Sequence, residues 1–365
     1  MAQHSQSIAS QTNCLHPTFT KSTGVFKIPM PVLIKPTRSF SDNLLQPYRQ
    51  QGDSPADAAI AAVVEANGPT GLRSLMAWLA DTTDFSTANQ HQVVQAFFVD
   101  QAQLPSWANP DRMQRGMAFF EKHAQQIGLV LGFFSLPFSY LGAHGAQVLW
   151  LTERIKNDTT RRLQETGEWV FGVNDSKEWK AGKAIDRILK IRLIHAGVRW
   201  FAIHSKKWNT DWGYPVNQED MAGTNLTFSY VVLLGLRKLG IVVSEQEEED
   251  YLHHINVVNY LNGVAEELLP RNLREAYTLS HAIGRRQFAP SEAGIGLTRS
   301  LLDAIAEQLA QHQKGRPETI RNLVAGEMRF FLGDAYADWL EIPAVPVEKR
   351  LAGLLNQLPI FPKTV

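Results

Sequence analysis

The chain has 365 residues, 36 acidic against 36 basic side chains, and an apolar fraction of 44%. That length holds one large domain or two smaller ones, with enough apolar material for a sizeable core. Zero formal charge and the lack of any lysine- and arginine-rich block leave no electrostatic case for nucleic acid. The lone cysteine, Cys14, excludes an internal disulfide and argues against a thiolate metal site.

The N-terminal stretch Met1-Ala2-Gln3-His4-Ser5-Gln6-Ser7 has neither the basic start nor the apolar core of a secretion signal, and no twin arginine. The expectation is a cytoplasmic protein: a flexible tail over 1–25, then one helical domain over 26–365 with an extended lead-in to about residue 50. Ser54-Pro55 before an alanine-rich run reads as a cap and first-turn proline, with Gly68 as the stop. Asn109-Pro110 opens a helix towards Gly128. From Ile127 to Leu151 there is no Asp, Glu, Lys or Arg, a length that would span a bilayer. Yet Ser135, Pro137, Ser139, His144 and Gln147 interrupt it and no basic flank marks an orientation, so buried helices of a large bundle are the expectation and membrane association is not.

Ser205–Thr224, holding Trp208, Trp212, Tyr214, Pro215, Asn217 and Gln218, is the longest clear non-helical piece. A loop this long is either functional or a plug of tryptophans between helices. Ser244 with Glu247 forms a capping box ahead of the helix that carries His253 and His254. Further helices are predicted over Leu301–Gln313, from Pro317 to Gly333, and after Pro346. Ile241-Val242-Val243 is too short to build a sheet. The fold class is all-α.

The densest chemistry lies in Arg192-Leu193-Ile194-His195-Ala196-Gly197-Val198-Arg199. On a helix, residues three and four apart share a side, so one imidazole stands between two guanidiniums. A neutral imidazole binds metal through one ring nitrogen, and guanidiniums hold carboxylates by paired hydrogen bonds. Haem brings both, an iron and two propionates. A core histidine flanked by two structural arginines satisfies the same spacing. Thirty residues upstream, Arg161-Arg162-Leu163-Gln164-Glu165-Thr166 places Arg162 and Thr166 on one helix side with Glu165 adjacent, either facing an enclosed site or forming a solvated surface. His253-His254 point about 100° apart on a helix and make a poor chelate. No His-Glu-x-x-His motif, no paired Glu-x-x-His of a di-iron bundle, no phosphate loop and no nucleophile elbow is present.

The order of these elements resembles the oxygenase family that includes the latex-clearing proteins (rubber oxygenases) and the mycophenolic-acid pathway oxygenase. The likeness runs from Leu104-Pro105-Ser106-Trp107 and Arg115-Gly116 through the two clusters above. It continues with Gly213–Thr224 and Gly263–Pro270 and ends near Phe331–Asp338, about two thirds of the chain. The resemblance implies a b-type haem protein with a globin-like helical core and His195 as the proximal iron ligand. It places Arg162 and Thr166 on the distal side, where O2 binds, with Glu165 beside them. Arg192 and Arg199 are assigned to the haem edge by helix geometry.

In a rubber oxygenase of this family a lysine precedes the threonine, where this chain has Glu165, and an acid lies further upstream; none occurs here between Gln125 and Thr152. The expected function is a haem-dependent oxygenase acting on an apolar alkene, with isoprenoids the class the resemblance suggests. Phe133, Phe134, Leu136 and Phe138 are the expected pocket lining. The alternatives are a non-catalytic haem protein, either a gas or redox sensor or a haem store, and a helical membrane- or partner-binding module using Ile127–Leu151. Oligomeric state is left open.

Overall fold

Helix signals in the sequence translate into helices with identifiable ends. A computed structural model describes residues 37–151, 159–312 and 316–355. The N-terminal tail, Cys14 and the first part of the lead-in lie outside the described residues. Among the described residues there is no strand, only an isolated bridge between Gly142 and Phe288, and the described residues, which begin at Thr37, form one compact unit. The fold is all-α.

Asparagines open three helices through side-chain acceptors: Asn109 caps Pro110–Lys122, Asn217 caps Gln218–Phe228 and Asn272 caps Leu273–Gln287. Ser244 and Glu247 complete the expected capping box of Glu245–Leu261. That helix ends at Asn262 with Gly263 at φ +87°, a left-handed position that glycine takes without a Cβ penalty.

Several boundaries differ from expectation. The lead-in contains a helix, Asp42–Tyr48, capped by the Ser41 side chain. The alanine-rich helix runs Ser54–Ala80, with Asp53 rather than Ser54 as N-cap; Gly68 (φ +65°) kinks it before Pro69, and the helix resumes beyond. The loop after residue 205 is shorter than expected. It holds a 3-10 turn, Thr210–Trp212, and helix resumes at Gln218.

The charge-free segment is divided and buried. Ala124–Val130 passes into a π turn, Leu131–Ser135, then a short helix, Leu136–Tyr140, and Ala146–Leu151. Pro137 has no N–H to offer the preceding turn, and widened π turns often accompany such interruptions. Ser135 Oγ donates to the buried Thr227 carbonyl at 2.7 Å. Phe134 stacks on Phe331 at 5.6 Å, while Phe138 meets Phe288 and Tyr336 edge-on. Phe134 belongs to the largest apolar core, and Phe133, Leu136 and Phe138 are partly buried against it. No helix among the described residues is long and apolar enough to cross a membrane.

A second core joins the helix Ser54–Ala80 to the helix Lys183–His204 through Ala59, Ile60, Val63, Leu72, Leu189, Leu193 and Ala196. The two helices touch closely enough that a Cβ on Gly197 would collide with the Met76 sulfur. This pairing fixes where residues 192–199 stand.

Candidate active site

His195 is on the helix Lys183–His204, which packs against Thr159–Val173, the helix of Arg162, Glu165 and Thr166. Its Nδ1 is buried and has no hydrogen-bond partner. The residue is partly accessible as a whole, yet the surrounding protein desolvates its ring heavily. Desolvation, helped by the charges of Arg199 and Arg162, pushes its pKa down to about 3. The imidazole is therefore neutral at physiological pH, the form that binds metal.

The flanking arginines divide their work unequally. Arg192 grips Asp53 with both bonds of a fork, Nε–Oδ2 at 2.6 Å and Nη2–Oδ1 at 2.9 Å, and Nη1 donates to the Leu261 carbonyl at 3.2 Å. All three of its nitrogens are thus engaged within the protein. Arg199, only 1% exposed, donates Nε to Asp57 at 2.6 Å and Nη1 to the Val216 carbonyl at 3.2 Å. Its Nη2 is buried without a partner. A charged donor left over in the interior is costly unless something supplies an acceptor.

Arg162 is exposed, and its charge is felt weakly at both His195 and the buried Tyr140. Burial pushes the Tyr140 hydroxyl up to about 12, and Arg162 opposes the shift. Thr166 Oγ1 donates back to the Arg162 carbonyl at 2.8 Å. Glu165 accepts from Arg161 Nε at 3.0 Å, an i,i+4 surface pair.

Sequence reasoning missed Asp53, Asp57 and Tyr140. Two acids four apart, matched to two arginines seven apart, were the available signal for the first two. The Asn217-Gln218-Glu219-Asp220 run serves the frame of the site. Gln218 donates to the Gly52 and Gly263 carbonyls, both at 2.8 Å, and accepts from the Ala265 N–H. Glu219, fully buried, binds Arg286 and Gln287, and Asp220 binds Arg49 and Asn217. Arg49 also reaches the Trp212 carbonyl. His253 and His254 are excluded as a metal pair. One accepts from the Asn109 N–H at 3.0 Å, and the other donates to the Val173 carbonyl at 3.0 Å.

Among the described residues no three His, Cys, Asp or Glu side chains group together as metal ligands. A metal held by His195 must then bring most of its own ligands, as a macrocycle does. The fold and site define a helical protein that holds, on one helix, a neutral imidazole and a buried guanidinium nitrogen, each without a hydrogen-bond partner.

Residues 123–358 match the family model described as ER-bound oxygenase mpaB/B'/Rubber oxygenase, catalytic domain. The chain belongs to this family and is an oxygenase. A rubber oxygenase from Streptomyces sp. (strain K30) is 23% identical over 303 residues, which is 82% of this chain and 72% of that protein. The solved structure of latex clearing protein LCP in the closed state shares the fold, with a TM-score of 0.71, 23% identity and 86% of each chain covered.

Proposed function

We propose that the protein is a haem-b-dependent oxygenase of apolar alkenes, isoprenoids among them, with His195 as the iron ligand. The observation that carries this reading is the imidazole: desolvated, neutral, and with its Nδ1 bonded to nothing. Membership of an oxygenase family supports the reaction class, and the rubber substrate in the Streptomyces relative's name supports the substrate class. Haem, when bound, supplies an iron that activates O2.

The chain's own residues hold and surround that group. His195 would offer its more accessible nitrogen, Nε2, because Nδ1 is the one closed in. Arg199 would offer its spare Nη2 to a propionate. Arg192, with each of its three nitrogens engaged by Asp53 or Leu261, is less free than Arg199 for the haem-edge place. Arg162 directs a positive charge into the region it shares with His195, where a pre-aimed donor favours charge developing on oxygen. Thr166 reinforces its own helix turn through the Arg162 carbonyl, and its place on the distal side is what the family membership suggests. Glu165 would act on protons only by leaving Arg161.

That engagement of Glu165 and Thr166 is also what favours the second reading, a non-catalytic haem protein that binds gas, senses redox state or stores haem. Oxygen uptake separates the two. With the reduced, haem-loaded protein and dispersed cis-polyisoprene oligomers, O2 should fall only when alkene is present, with carbonyl products trapped as hydrazones. Reversible O2 binding without uptake or product would support the second reading and contradict the first.

A further inference from the structure

We propose that Asp53 and Asp57 are positioning residues for His195: their ion pairs with Arg192 and Arg199 grip the histidine helix one turn before and one turn after the imidazole and set where it points. The proposal rests on the reading of His195 as the iron ligand.

A metal-binding histidine is ordinarily oriented by a partner on its second nitrogen. Here Nδ1 has none. The direction of the ring must therefore come from the helix backbone, and the two ion pairs are what fix that turn of backbone. Arg192 precedes His195 by three residues and Arg199 follows it by four, so all three lie along one strip. The two acids stand at the start of the helix Ser54–Ala80, Asp53 as its N-cap and Asp57 in its first turn, and they are coupled: the Asp53 N–H donates to Asp57 Oδ2 at 3.1 Å. As N-cap, Asp53 would ordinarily bond the first turn of its own helix. It makes no such bond, and its carboxylate goes to Arg192.

The surroundings leave little slack. A Cβ on Gly52 would stand 2.6 Å from Asp57 Oδ2 and 2.7 Å from the Tyr214 ring. A Cβ on Gly263 would collide with Asp53 Oδ2 and approach Arg192 Nε to 2.7 Å. The Arg192–Asp53 pair is also closed to solvent, with 9% and 3% side-chain exposure. In such surroundings a charged fork has one good geometry, and its loss lets the helix turn move.

The test uses haem-loaded full-length protein and the isosteric variants Asp53→Asn and Asp57→Asn, with Glu65→Gln, an exposed acid on the same helix, as control. Folding is checked by far-ultraviolet circular dichroism. The readouts are the iron–imidazole stretching band of the reduced protein in resonance Raman spectra and the rate of haem transfer to apomyoglobin. Both Asn variants should shift or broaden the band and lose haem about ten-fold faster or more, the range seen when partners of metal ligands are removed. Glu65→Gln should match wild type. Should Asp53→Asn fail to fold, Asp57→Asn, whose acid is 26% exposed, carries the test. Folded variants with the wild-type band and transfer rate would overturn the positioning role alone. A wild-type protein with no haem band would overturn the ligand reading and this proposal together.

Discussion

Glu219→Ala is expected to lower folding stability by about 3–5 kcal/mol in urea unfolding, the cost of removing one partner from a buried ion pair. Glu219 has no exposed surface, accepts from Arg286 Nε at 2.7 Å and from Gln287 Nε2 at 3.1 Å, and lies 4.0 Å from Arg49. Without it, Arg286, 13% exposed, keeps only Gln46 and a distant Asp42. Gln287 already has a buried Oε1 with no partner and would lose its donor bond as well. Replacing both charges with apolar groups, as in Glu219→Leu with Arg286→Met, should cost less than the single alanine change, because no charge is then stranded. A loss under about 1 kcal/mol for Glu219→Ala would contradict this view of the network.

Acid should destabilise the protein well before its carboxylates titrate. Burial pushes His195 down to about 3, and His253 and His254 to about 4. In the unfolded chain each takes a proton near pH 6.5. Their folded pKa values are depressed, so the folded state binds fewer protons. Their stabilising contribution is complete above pH 6.5 and drains away as pH falls towards 4 and then 3. Three protons correspond to a slope of about 4 kcal/mol per pH unit at its steepest. Near the carboxylate range, Asp57, Asp186 and Asp220, raised by burial, act in the opposite sense. The clean window is therefore pH 6.5 to 5. A histidine bound to iron also takes up no proton, so the sign holds with or without haem. Burial also lowers His123 and His144, which add to the slope in the same sense; urea unfolding at pH 7, 6 and 5 should show the decline, and His254→Gln should make it shallower. A flat profile would contradict the burial of these three imidazoles.

Much of this fold was legible because helix ends are written locally. Asn109, Ser244 with Glu247, Pro317 and Gly333 sit at or beside real boundaries. The places that misled are those where tertiary demand outweighs local chemistry. Asp53 reads as a residue before a Ser-Pro cap, yet it is the cap position and spends its carboxylate on a residue 139 positions away. Gly68 reads as a stop, but the helix resumes because Leu72, Leu75 and Leu79 beyond it are buried in the same core as Ile60 and Val63.

At the site, the spacing of residues 192, 195 and 199 placed three side chains on one strip but did not reveal what they bind. Only the structure separates an Arg192 whose three nitrogens are all engaged from an Arg199 with a nitrogen to spare. For the same reason Thr166 and Glu165 looked alike as candidates, although one bonds its own helix and the other a neighbouring arginine.

The absorption spectrum of the purified protein, expressed with iron and a haem precursor, tests the central claim most directly when recorded beside His195→Ala in ferric and ferrous forms. The account predicts an intense Soret band that responds to reduction and O2 in wild type and is lost in a folded His195→Ala. A wild-type protein without that band, or a His195→Ala that keeps its full haem complement, would contradict it.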